Sequence, residues 1–303
     1  MDERRFKLLS KVGAKRVLLK PARFFNQTFA YGSRIAAGYA RGGAGIASRK
    51  FHATEPTSWE FGAFSQNGED GIIDHLLSLI ESPSGYFVEI GASDGIQNNT
   101  AFLAFVKNYS GLMVEGDTFK SEYATRFLQP LNWSVDYVNL MVEPDEIDRV
   151  MDLCLVNDPD LLSLDIDSND YFVMKALLER GMKPKVICVE YNSAFGPTSP
   201  RSIVYIQGLN YQVFHPSQLY YGVSISGWRA LLGRYGYRFV TVESRGVNGF
   251  FVDPEAVALP PGIEGPAFAE NMTQLRRHRT GWEGQFAQIS KLPLITVPEA
   301  ESG

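Results

Sequence analysis

Apolar and polar positions first fall into a regular pattern near residue 65. In "SQNGEDGIIDHLLSLI", Ile72, Ile73, Leu76, Leu77 and Ile80 recur at i, i+1, i+4, i+5 and i+8. That spacing gathers them on one face of a helix. An apolar strand over 86–90 follows, and a polar turn then opens a helix at about 99–108. "GLMVEG" predicts a strand at 111–116, followed by a helix at 118–128 before Pro130. "WSVDYVNLMV" predicts a strand at 133–142, and Pro144 suits the first turn of the next helix. "LLSLDI" (161–166), "DYFVMKALLERG" (170–181) and "VICVEYN" (186–192) continue the alternation. Strands alternating with helices predict an α/β, doubly wound, mostly parallel sheet covered on both faces.

The pattern changes after residue 220. Ser226 is placed to cap a helix through Trp228, Leu231, Leu232 and Tyr235, closed by Gly236. "YRFVTVES" and "NGFFVD", on either side of Gly246, read as a hairpin. The sheet is therefore expected to finish with an antiparallel C-terminal hairpin. Beyond Pro260-Pro261 the pattern predicts a linker, one helical stretch and a loose tail.

Charge divides the chain. Residues 1–50 hold 12 Lys+Arg against 2 Asp+Glu, and the remainder holds 17 against 32. Residues 1–60 read as a basic, loosely ordered N-terminal arm, with the Gly/Ala-rich "GYARGGAGIAS" near its end. An alternative is an amphipathic segment in peripheral contact with an anionic membrane. The main domain is expected over 61–258 and a C-terminal extension over 259–303. The net charge of -5 argues against a dedicated nucleic-acid binder. Cys154 and Cys188 sit in apolar contexts without a CxxC pair, as in a reducing, cytoplasmic setting. No apolar run reaches membrane-spanning length, and no secretory signal is legible at the N-terminus.

The candidate chemistry lies where the strands end. "FVEIGASDG" carries Glu89 at a strand terminus, then Gly91 and Gly95. In a doubly wound sheet this loop borders the ligand crevice. Gly91 lets backbone approach a bulky ligand, and Gly95 allows the turn into the next helix. GxGxxG and GxxxxGK[ST] are both absent, which disfavours a nicotinamide oxidoreductase and a P-loop enzyme. A carboxylate at this point favours a cationic ligand without phosphate, and S-adenosylmethionine fits. Glu115 ends the second strand, 24 residues after Gly91, where it can accept both ribose hydroxyls.

These residues, with "FVEIGASDGIQNNT", "GLMVEGD", "LLSLDIDSNDYFVMKALL" and "VICVEYN", resemble the class I S-adenosylmethionine-dependent methyltransferases, and among them the FkbM-type family. The resemblance spans about 65–253. It implies a Rossmann-like seven-stranded sheet with one antiparallel strand. It implies that Glu89, Gly91, Ala92 and Gly95 surround the methionine end, that Glu115 holds the ribose and that Asn139 lies near the adenine. It also implies methyl transfer to a hydroxyl of a sugar, glycan or natural product. Where many FkbM-type members carry Asp-x-Glu-Gly, this chain has Asp165-Ile166-Asp167-Ser168. The competing reading is a non-catalytic cofactor-binding scaffold or membrane-associated interaction protein.

Three readings are open for the acids on the same rim. Asp165 or Asp167 can act as general base. Asp167, Glu190 and Asn192 can supply oxygen ligands to Mg²⁺ or Ca²⁺. Alternatively the acids are structural, with Asn169 and Asp170 at the start of the following helix. His215 is a further candidate base, and Tyr205, Tyr211, Tyr220, Tyr221 and Trp228 a candidate aromatic platform. In "QNGED", Glu69 and Asp70 suit a helix first turn, and the segment can also fold over a cofactor.

Overall fold

A strand buried on both faces needs apolar side chains at nearly every position, and the central runs of this chain meet that demand. In the computed structural model, which describes residues 31–263 and 265–298, they form β1 (Tyr86–Ile90), β2 (Ser110–Glu115), β3 (Val135–Asn139), β4 (Leu161–Leu164) and β5 (Val186–Glu190). A short β6 (Arg201–Ile203) precedes the hairpin β7 (Arg238–Val242) and β8 (Asn248–Val252), and β9 (Leu294–Thr296) comes last. The main sheet has seven strands in the order β3-β2-β1-β4-β5-β8-β7. The first five are parallel. β8 runs against both β5 and β7, so it is the one strand of the seven that opposes the rest. β6 and β9 form a separate antiparallel pair. This is the Rossmann-like architecture that the sequence predicts.

Register fixes the functional edge. Ile90 pairs with Val114 on one side and Leu164 on the other, and Glu115 pairs with Asn139. The carboxyl ends of the parallel strands are therefore level, and the chain order reverses between β1 and β4, where such sheets bind ligands.

Residues 31–48 form helix α1. It is followed by α2 (Glu69–Ser78), α3 (Ala101–Phe105), α4 (Thr118–Phe127), α5 (Ile147–Leu153), α6 (Asp170–Glu179), α7 (Tyr211–Phe214), α8 (Ile225–Arg234), α9 (Met272–His278) and α10 (Trp282–Ile289). The cap of α8 is Ser224, whose hydroxyl accepts from Gly227 N–H, rather than Ser226. Ser226 lies two residues on, inside the helix, and Ser224 Oγ also accepts from Arg201 N–H and donates to Ser199 O.

Both ends of the chain are more ordered than the pattern predicts. The segment 31–60, read as part of a loose arm, is helical over 31–48 and packs on the domain. The reason is shape: a Cβ on Gly38, Gly42 or Gly45 would lie 2.5 Å from Phe64, 2.9 Å from Ala63 and 2.8 Å from Phe61, respectively. These glycines share a helix face and let backbone meet aromatic rings. Tyr31 stacks on Tyr123 and Phe127, and Arg34 pairs with Asp94 at 2.6 Å. Trp59 and Phe64 are fully buried. The most basic part of the arm, 1–30, lies outside the described residues. The C-terminal region is not a loose tail through 298, because it forms α9, α10 and β9, with Gln285, Ile289 and Val297 buried. Among the described residues no helix is long and apolar enough to cross a membrane. Cys154 and Cys188 are both free thiols.

Candidate active site at the strand carboxyl ends

A cavity of about 840 Å³ opens over the level strand ends. Glu89, Gly91, Glu115, Asp165, Asp167 and Glu190 all line it, so most of the predicted residues converge.

On the β1–β3 side the polar groups are already held by the chain. Glu89 is buried, and its carboxylate accepts from Asn99 N–H at 2.9 Å and from the Thr100 hydroxyl. Burial still dominates and raises its pKa to about 7, with the Thr100 and Asn99 bonds opposing the shift. Gly91 adopts φ 93, and Gly91 and Ala92 N–H both donate to Val114 O. A Cβ at Gly91 would lie 1.7 Å from Asp165 O. The glycine is thus required first by strand packing, and ligand approach is a second demand on it. Gly95, at φ 73, turns the loop against Leu128, Ala124 and Tyr137 and does not line the cavity. Ala92 is buried and is likewise outside the wall. Glu115 accepts from Asp117 N–H at 2.7 Å, which aims its carboxylate at the end of β2.

Asn139 departs from the expected role. Its amide donates to Glu115 O and Gly116 O and accepts from the Thr118 hydroxyl, which uses its side chain to tie β3 to the β2 loop. Leu140, Met141 and Val142, just beyond it, line the cavity instead.

On the β4–β5 side the acids meet one another. One oxygen each from Asp165, Asp167 and Glu190 lies within 4.8 Å of the others. Asp165 and Glu190 face each other closely enough for their carboxyl groups to interact directly. Burial, then repulsion from neighbouring carboxylates (Asp167 foremost for Asp165, Asp165 foremost for Glu190), holds both well above the ordinary carboxylate range. Asp167 sits at φ 54, a conformation few non-glycine residues take. Burial and Asp170 raise its pKa to about 7, against the nearby Lys120. Asp170 itself is structural, since it accepts from Ile166 N–H and Ser168 N–H in front of α6. Asn169 does not cap the helix with its side chain; it pins Glu143 and Ile206.

Two proposed members drop out of this group. Asn192 accepts from Ala194 N–H and donates to Leu219 O and Tyr221 O. Its polar atoms close this loop and it does not line the cavity, whereas Asp165 joins Asp167 and Glu190 in the cluster. His215 bonds Ser217 through Nδ1 and does not line the cavity. Of the aromatic platform, Tyr211 and Tyr221 reach the wall. Tyr220 donates to Pro293 O and Trp228 to Glu190 O, while Tyr205 packs on Phe172.

Three wall segments add to the predicted site residues, one of them the Glu69 segment that the sequence marked as able to fold over a cofactor. Lys120 lines the cavity and reaches Ser93 Oγ at 3.3 Å. Glu69 is buried in the wall and accepts from Asn67 and Asn248. The third is α9, which contributes Gln274, Arg277 and His278 from the C-terminal extension. An Asn271 cap with Arg and His in the last turn was the available signal for that helix.

No family model matches the chain, and no curated protein is significantly similar to it. Similarity to solved structures is low in identity. A DszA carbon methyltransferase structure is 14% identical with TM-score 0.40, the match covering 61% of this chain and only 53% of that one. A SAM-dependent methyltransferase from Aquifex aeolicus is 12% identical with TM-score 0.36, covering 59% and 88%. A SAM-dependent methyltransferase from Geobacter sulfurreducens, solved with S-adenosyl-L-homocysteine, is 11% identical with TM-score 0.35, covering 65% and 70%. Identity and TM-scores at this level carry neither an acceptor nor a subfamily to this chain.

Proposed function

We propose that the chain is an S-adenosylmethionine-dependent methyltransferase of FkbM type that methylates a hydroxyl of a sugar, glycan or natural product. The observation that carries this reading is one cavity, at the reversal of strand order, walled by carboxylates from four strand ends. Glu89 suits the ammonium of the cofactor, because a buried carboxylate gains a counter-ion there. Glu115 suits the ribose hydroxyls, and Leu140–Val142 suit the adenine. The cavity volume is ample for a cofactor with a small acceptor. The bound cofactor would supply an electrophilic sulfonium methyl. An acceptor hydroxyl would then sit beside Asp165 and Asp167, and a carboxylate with a raised pKa would take its proton as oxygen attacks. The methyl–oxygen bond would form as the methyl–sulfur bond breaks, with S-adenosylhomocysteine as the leaving group.

A second reading of the acid cluster is favoured by its convergence. Asp165, Asp167 and Glu190 offer all-oxygen ligands of the kind Mg²⁺ or Ca²⁺ takes, and such an ion would acidify a hydroxyl directly. Calorimetry with S-adenosylhomocysteine tests the cofactor. Turnover on hydroxylated acceptors, with and without EDTA, separates the two catalytic readings. Absence of any S-adenosylhomocysteine binding overturns the methyltransferase assignment.

A further inference from the structure

Four consecutive basic residues, Arg276-Arg277-His278-Arg279, end α9 and its turn. They are out of character with residues 51–303, where acids outnumber Lys+Arg by 32 to 17. Among the described residues none of the three arginines has a carboxylate within ion-pair distance. Arg277 and His278 line the cavity. Arg277 is held in position: Nη1 donates to Gln218 Oε1 at 2.5 Å, and Gln218 Nε2 donates to Gln212 O at 3.0 Å. Gln218 takes φ 58 to do so, a backbone conformation that costs a non-glycine residue free energy. Burial and the charge of Arg277 keep the His278 pKa below its ordinary value. The cations of the wall are therefore Lys120, beside Asp167, and the Arg277 guanidinium, which uses a single N–H on a protein acceptor among the described residues.

We propose that Arg277 is the seat for the phosphate of a phosphorylated acceptor, such as a sugar phosphate or a sugar linked to a nucleoside diphosphate. A guanidinium fork matches phosphate oxygens in pairs, and Arg276 and Arg279 beside it raise the local potential. The cavity floor supplies the other half of the recognition. Asp165, Asp167 and Glu190 repel an anion, so a phosphate is attracted to α9 and excluded from the strand ends. An acceptor with a phosphate at one end and hydroxyls at the other is thereby oriented, with its hydroxyl toward the carboxylates. The hydroxyl part rests on the methyltransferase reading; the phosphate seat does not.

The test uses the whole chain, with and without saturating S-adenosylhomocysteine, in calorimetry. Glucose 1-phosphate, methyl glucoside and inorganic pyrophosphate are the probes. The phosphorylated probes should bind at least about 10-fold more tightly than methyl glucoside, the scale of one charged hydrogen bond. Arg277→Gln should erase that preference while leaving the melting temperature and S-adenosylhomocysteine affinity in place. Arg41→Gln, on an exposed position of α1, should keep it. Equal affinity for phosphorylated and neutral probes, or an unchanged preference in Arg277→Gln, overturns the seat. Pyrophosphate binding in a protein that does not bind S-adenosylhomocysteine would leave the seat standing and remove the methyltransferase reading.

Discussion

The two halves of the cavity treat their charged groups differently. At the ends of β1 and β2, each carboxylate is met by the chain's own donors: Glu89 by Asn99 and Thr100, Glu115 by Asp117. At the ends of β4 and β5, Asp165 and Asp167 accept no backbone hydrogen bond among the described residues, and Asp165 and Glu190 face each other. The first half has orientation built in, which suits holding a ligand. The second stores electrostatic repulsion that a proton, a cation or a reacting hydroxyl relieves. Catalytic groups belong in such places, because a buried carboxylate that the backbone does not hold can exchange its proton with a ligand.

The most destructive way to break this comparison is to join the halves. In Gly91→Val the new Cβ would overlap Asp165 O, 1.7 Å away, and φ 93 resists any β-branched residue. The strand ends would have to separate. We expect a loss on the order of 4 kcal/mol or more, in the exceptional range for one substitution. Denaturant unfolding would read it, and a variant as stable as wild type would mean that β1 and β4 do not pack this way.

Substitutions within one half should separate binding from turnover. Asp167→Asn should lower turnover by roughly 10²- to 10⁴-fold, the usual span for a general base, with S-adenosylhomocysteine affinity little changed. Restoration of an EDTA-treated wild type by Mg²⁺ or Ca²⁺ would move Asp167 from base to ligand. Full activity of both Asp165→Asn and Asp167→Asn would leave the cluster with a structural role only. Glu115→Ala should do the reverse, weakening S-adenosylhomocysteine by about 1.5–3 kcal/mol. A change below about twofold in that titration would show that Glu115 does not hold the ribose.

The halves were also unequally legible in the sequence. β1, β2, β4 and β5 appear within two residues of their predicted limits, because burial on both faces leaves an unbroken apolar run. Glu89 and Glu115 follow directly from where those runs stop. The β4–β5 half was legible only as a concentration of acids. Sequence does not reveal which polar side chains the backbone has already consumed, and so Asn192 and Asn139 looked free when they are not. His215 looked close because it follows β5, yet Ser217 holds it away from the cavity. Helix α1 was hidden by its glycines. Their poor helix propensity is overridden by the contact they allow with Phe61, Ala63 and Phe64. Removing residues 1–50 should therefore expose that aromatic surface and aggregate the protein, as light scattering after expression would show.

The smallest effect sharpens the comparison most, because it reads one carboxylate on the holding side. Burial raises Glu89 from its ordinary value of 4.5 to about 7. Between those values the folded, ligand-free protein keeps a proton that the unfolded chain has released. The contribution of Glu89 is thus largest at low pH, and stability falls as pH rises through that window. An ammonium seated on Glu89 favours the ionised form. S-adenosylhomocysteine, whose amine is protonated at pH 6, should then release protons as it binds there. Its affinity should climb with pH by at most about tenfold per unit, one proton's worth, and level off above pH 7. Titrations at pH 6 in two buffers of different ionisation enthalpy measure the release. Asp165, Asp167 and Glu190 also carry raised pKa values and can contribute, so Glu89→Gln is the control. That variant should bind more weakly and release correspondingly fewer protons. If it releases as many protons as wild type, the cofactor's cation is sensed by the β4–β5 acids, and the division of labour between the two halves is wrong.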